Sequence, residues 1–230
     1  KKVEERTREL VLTQDVTIQS LASLAETRDN ETGAHIQRTQ NYVSLLTLRL
    51  MNVPNYIAEI DPTTAQLLHK SASLHDIGKV GVPDSILLKP GKLTSEEFEE
   101  MKKHAIYGRD ALQRAEKALG SNSFLRLAKE IAYSHHEKWD GSGYPEGLRG
   151  EEIPVPGRIM AIADVYDALI CKRVYKPAFP HKKAIEIIKE GRGTHFCPDV
   201  TDAFLVLEKH ILKVAHTLAD SEEEREALGS

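Results

Sequence analysis

Helix-start signals recur along this chain, and the period-two alternation of a half-buried strand is scarce. Asp61-Pro62 reads as an N-cap followed by proline at the first helical position, opening a helix through Leu67, Leu68 and Ala72. Thr94-Ser-Glu-Glu97 is a capping box ahead of a helix carrying Phe98, Met101 and His104. Pro198 opens another, with Val200, Phe204, Leu207, Ile211 and Val214 along one face. The fold these signals predict is all-α, a helical bundle.

At the N-terminus Val3 and Leu10 stand seven apart, and Ile18, Leu21, Leu24 and Ala25 follow. That spacing suits one long helix over residues 1–25, either a coiled-coil stalk that pairs two copies or a single amphipathic helix on its own domain. Opening on Lys1 in mid-helix reads as a fragment of a longer protein, with an upstream regulatory domain, receiver-like or sensor, expected. Residues 26–218 form the main domain in this reading and 219–230 a charged tail. Gly/Pro-rich stretches at 79–85 and 88–93 read as loops. The one from Trp139 to Gly157 is longer than a connector needs and is expected to be functional.

Composition removes several classes of function. A formal net charge of −4 supplies no basic field for nucleic acid. No run approaches the roughly 18 apolar residues of a membrane span. Cys171 and Cys197 stand far apart with no metal-type spacing, which fits a reduced, cytoplasmic setting.

What remains is the histidines, 10 in all, several of them beside carboxylates or beside each other. Glu31 and His35 are four apart, one helical turn on the same face. His75 and Asp76 are adjacent, His104 lies inside an amphipathic helix, and His135 and His136 are adjacent just before the long loop. Asp164 follows the apolar run Ile159–Ile162, with Asp167 three residues on. Any one pair could be a polar helix cap; together they form a donor set. Imidazole with carboxylate suits iron, manganese or zinc and is too nitrogen-rich for magnesium or calcium alone. The donors outnumber the needs of one ion, which points to two or three.

His75-Asp76-Ile-Gly-Lys79, then His135-His136-Glu-Lys-Trp-Asp-Gly-Ser-Gly143-Tyr144-Pro145, then Ala163-Asp164-Val-Tyr-Asp167-Ala-Leu resemble the HD-GYP family, a branch of the HD phosphohydrolases. The resemblance runs from about Glu26 to Phe204 and implies an HD-domain helical bundle with an extended N-terminal helix and a long GYP loop. It implies a phosphodiesterase that cuts cyclic di-GMP to linear pGpG and onward to GMP, through a hydroxide bridging two metals. His35, His75, Asp76, His104, His135, His136 and Asp164 would then be metal ligands, Asp76 bridging, and Glu31 would help hold a third ion. Iron or manganese is the family's usual metal. Lys79 would act beside the scissile phosphate, and Gly143, Tyr144 and Pro145 would border the nucleotide, Tyr144 either stacking on guanine or bracing the loop. Arg173 and Lys176 would contact phosphate or guanine, and Asp167 either orients a ligand histidine from behind or is a helix-terminal charge. The remaining alternatives are another cyclic dinucleotide, such as cyclic GMP-AMP, and a signalling module that binds without turnover.

Two departures from the family pattern stand out. Ile170-Cys-Lys-Arg-Val174-Tyr175 replaces the usual Thr-Ser-x-Arg-Pro-Tyr, losing a proline. In Gly193-Thr-His195-Phe-Cys197-Pro198 a cysteine stands where aspartate is usual, at the expected N-cap of a helix.

Overall fold

The computed structural model describes residues 1–28, 33–120, 123–171 and 178–229. Among the described residues there is no strand, and eleven α-helices follow in chain order. They are α1 (Lys2–Thr27), α2 (Gly33–Leu50), α3 (Pro62–Ala72), α4 (Asp84–Leu87), α5 (Ser95–Leu119), α6 (Ser123–Ser134), α7 (Val155–Ile170), α8 (His181–Glu190), α9 (Pro198–Val206), α10 (Glu208–Thr217) and α11 (Glu222–Leu228). A 3-10 turn over Ile77–Gly81 links α3 to α4. None of these helices is long and apolar enough to cross a membrane.

The expected caps are in place. Asp61 accepts from the Thr64 amide at 2.6 Å with Pro62 at the first position of α3. The Thr94–Glu97 capping box closes reciprocally at the start of α5, at 3.3 and 2.7 Å. These satisfy amides that an uncapped helix start leaves orphaned.

α7 is buried almost all round and is the axis of the larger core. Its Tyr166 meets Tyr42 of α2 and Phe204 of α9 edge-on, at 5.3 and 5.2 Å between ring centroids. A smaller core joins Ala22 of α1, Ile36 of α2, Leu112 of α5 and Phe124, Leu125, Ala128 and Ala132 of α6. The chain between α3 and α5 is pressed onto α5: a Cβ on Gly78 would lie 1.9 Å from the His104 carbonyl oxygen. Only glycine allows that approach, and it brings the His75-Asp76 turn against His104.

Two expectations are corrected. The helix opening at Pro198 does not run on through Val214. It breaks at Leu207 into α9 and α10, and the bend lets both halves pack on α2, with Ile211 and Phe204 fully buried. Residues 219–230 are not simply a tail: Ser221 caps α11 by accepting from the Glu224 amide at 3.1 Å, and Leu228 joins the larger core. α1 is a single long helix as expected, with Val3, Leu10, Val16, Leu21 and Leu24 exposed and Ala22, Ala25 and Glu26 buried.

Cys197 is the N-cap of α9, makes no cap hydrogen bond, and lies buried with its Sγ 3.4 Å from the Tyr56 hydroxyl. An aspartate there would accept from the first free amides of α9 and from Tyr56. Cys197→Asp is expected to stabilise the fold by about 1 kcal/mol, read as a higher melting temperature; an unchanged or lower one would contradict this role for the position.

Candidate metal centre

Four helices and one turn deliver the histidines and carboxylates to one place. His35 comes from α2, His75 and Asp76 from the turn that follows α3, and His104 from α5. His135 and His136 come from the residues just after α6, and Asp164 from α7. The donor atoms of Asp76, His104, His135 and His136 lie within 4.8 Å of one another, as do those of His35, His75 and Asp164. Asp76 stands between the two groups. Its Oδ2 is 3.2 Å from His75 Nε2, while its Oδ1 is 3.4 Å from His104 Nε2 and 3.5 Å from His135 Nε2. His35 Nε2 and His75 Nε2 face each other at 3.4 Å, with Asp164 Oδ1 3.9 Å from the former.

The back of each ring decides what its front can do. Nδ1 of His75, His104 and His135 lies 2.9, 2.8 and 3.0 Å from the carbonyls of Ala72, Met101 and Ile131, and His35 Nδ1 lies 2.8 Å from Asp167 Oδ2. Those acceptors hold the proton on Nδ1 and turn a bare Nε2 lone pair inward. Burial drives the His104 imidazole down to about 4 and the His136 imidazole well below its ordinary range, so both stay neutral. Burial works to raise the Asp76 carboxyl, yet the Lys79 ammonium 2.7 Å away, with His75 and His135, holds it well below the carboxylate range.

Among the described residues, Asp76 Oδ1, His104 Nε2 and His135 Nε2 are buried without a hydrogen-bond partner. Each such group costs about 1–3 kcal/mol left alone. A cation at their common centre would satisfy all three, so these residues fit a divalent transition metal.

Asp167 is almost fully buried behind His35. It accepts from Arg38 Nε at 2.7 Å and Nη2 at 3.0 Å as well as from His35. Burial opposes its charge, but the His35 and Arg38 hydrogen bonds lower it to about 2. Arg38 continues outward to the Leu218 carbonyl at 2.9 Å, Asp220 at 3.1 Å and Cys171 Sγ at 2.9 Å. Arg38 was missed from the sequence; its position one turn beyond His35 was the available signal.

The long loop folds against the same cluster. Glu137, also missed, is buried and accepts from the Glu146 and Leu148 amides at 2.8 and 3.0 Å, tying the loop into a knot. A Cβ on Gly143 would lie 2.3 Å from the Lys138 nitrogen, so glycine is required there. Tyr144 stacks on the His136 ring at 4.7 Å and 25°, and its amide donates to the His136 carbonyl at 3.2 Å. Pro145 follows through a cis peptide. His195 orders the turn under the loop, its carbonyl accepting from the Trp139 amide at 3.1 Å. Glu31, Arg173 and Lys176 lie outside the described residues.

A family model for the HD domain matches residues 19–200. A "Cyclic di-GMP phosphodiesterase" of Vibrio cholerae is 59% identical over 93% of this chain and 43% of its own length. The "3'3'-cGAMP-specific phosphodiesterase 2" of the same organism is 40% identical over 88% of this chain and 36% of its own. The chain thus spans less than half the length of these curated relatives. Among solved structures, an HDG"Y"P protein from Bdellovibrio bacteriovorus has the same fold at a TM-score of 0.54 and 23% identity, over 78% of this chain and 54% of that one.

Asp167→Ala would strip the buried Arg38 guanidinium of the carboxylate that meets both its Nε and Nη2, leaving the partly exposed Asp220 as its remaining acidic partner. The expected loss is about 3–5 kcal/mol of unfolding free energy, read by urea denaturation; a loss under about 1 kcal/mol would contradict the role given to this pair.

Proposed function

Because the chain belongs to the HD domain family, in its HD-GYP branch, we propose that it is a metal-dependent phosphodiesterase that hydrolyses cyclic di-GMP to linear pGpG and then GMP. One observation carries the reading: Asp76 turns Oδ2 toward His75 and Oδ1 toward His104 and His135, and among the described residues that Oδ1 and the latter two Nε2 atoms have no hydrogen-bond partner. His35, His75 and Asp164 would hold one ion and His104, His135 and His136 another, with Asp76 shared. Glu31 would serve a third ion. Iron or manganese suits this mixture of nitrogen and oxygen donors. Bound there, the ions would acidify the attacking water and draw charge from the phosphoryl oxygens.

The chain's own residues do the rest. Lys79, held by Asp76 at 2.7 Å, places a positive charge beside the reacting phosphate and can neutralise the departing 3′ oxygen. Asp167 and Arg38 keep the His35 ring from turning. Tyr144 does the same for His136 and shields it from water. Arg173 and Lys176 would take the second phosphate or a base edge. Cyclic GMP-AMP is the second substrate to weigh, since a relative 40% identical is named for it. A binding module without turnover fits less well, because every expected ligand position carries a ligand side chain.

Dimerisation through α1 completes the proposal, supported by the exposed Val3, Leu10, Leu21 and Leu24. An upstream receiver-like or sensor domain would use the same helix. A cytoplasmic setting agrees with two free cysteines.

Turnover of cyclic di-GMP by the purified chain, with pGpG and GMP resolved by chromatography, tests the reading. Asp76→Asn is expected to abolish product and reduce bound metal, and a variant that still turns over would overturn the shared-carboxylate centre. Lys79→Met is expected to keep the metal and lower kcat about 10²- to 10³-fold; an unchanged kcat would remove Lys79 from the chemistry.

A further inference from the structure

Beside the metal centre, α5 presents an aromatic side chain that belongs to neither core. Phe98 is 45% exposed, unlike the buried phenylalanines Phe124, Phe196 and Phe204. It stands one and a half turns before His104, and Lys102 lies one turn after it on the same face. The Phe98 ring meets Tyr144 at 6.2 Å and 83°, and Lys102 Nζ is 5.1 Å from the Phe98 centroid and 5.6 Å from that of Tyr144. Tyr144 in turn lies 6.4 Å from the His104 ring and has one face committed to His136. Among the described residues Phe98 therefore leaves an aromatic surface open, one ring removed from the clustered histidines.

We infer that Phe98 and Lys102 form the seat of a purine base of the dinucleotide, with Phe98 stacking on the ring and the Lys102 ammonium addressing its acceptor edge. This rests on the phosphodiesterase reading. Each base of a cyclic dinucleotide sits one ribose away from a phosphate, so a phosphodiester at Asp76 and His104 carries a base toward this wall. Flat π-faces stack on exposed aromatic side chains, and an ammonium beside them is drawn both to the rings and to guanine O6 and N7. Lys102 is held in place by Glu99 at 2.6 Å. Tyr144 braces the wall from behind, so the GYP loop supports base binding while Phe98 performs it.

The test compares cyclic di-GMP with an abasic diribose phosphodiester, which carries no flat ring to stack, in the wild type, Phe98→Ala and Phe98→Trp. Phe98→Ala is expected to raise KM for cyclic di-GMP about 5- to 100-fold. The ratio of kcat/KM for cyclic di-GMP to that for the base-free diester should fall by the same factor, with bound metal retained. Phe98→Trp is expected to restore the ratio. An active wild type with an unchanged ratio in Phe98→Ala would overturn this inference alone, as would equal losses on both substrates. A wild type that cleaves neither substrate would overturn the phosphodiesterase reading and this one with it.

Discussion

Histidines buried side by side around one carboxylate are a costly arrangement for a folded chain. His35, His75, His104 and His135 each commit Nδ1 to an acceptor behind them, and no protein hydrogen bond answers the inward nitrogens of His104 and His135 among the described residues. Three of the acceptors are backbone carbonyls three or four residues upstream, carried by α3, α5 and α6. Helix geometry itself thus sets the tautomers, and the bundle has only to bring the helix ends together. Gly78 is the clearest instance, since its missing side chain lets the His75-Asp76 turn rest on α5 at His104.

A second layer keeps this arrangement from relaxing. Arg38 and Asp167 lock α2 to α7 behind His35, and Arg38 reaches on to the Leu218 carbonyl and Asp220. The segment after α10 is therefore part of the support of the centre. On the opposite side, Glu137 gathers the long loop by two amides, and the loop returns Tyr144 to the face of His136. Both layers use a buried carboxylate to organise backbone or a guanidinium, which is strong only where water is excluded.

Local features were legible in the sequence because they act locally. The Asp61 and Thr94 caps need only residues three positions away, and the His and Asp pairs announce themselves by adjacency. The HDIGK and HHEKWDGSGYP motifs carried the family, and with it the bundle. Other features are set by distant partners. The break at Leu207 arises because α9 and α10 both pack on α2, and no proline or glycine marks it. Leu228 reads as part of a charged tail until the core it enters is known. Arg38 and Glu137 look like ordinary surface charges, since their partners lie 129 and 9 to 11 residues away. Phe98 reads in the sequence as one apolar position of an amphipathic helix, and its exposure beside Tyr144 is a property of the assembled fold.

Whether these side chains exist to hold metal is answered by elemental analysis of the purified chain, before and after chelation, with the melting temperature followed in parallel. The account predicts at least two divalent transition-metal ions per chain and a lower melting temperature once they are removed. A chain that takes up no iron or manganese under any loading condition, and melts the same with and without chelator, would contradict it.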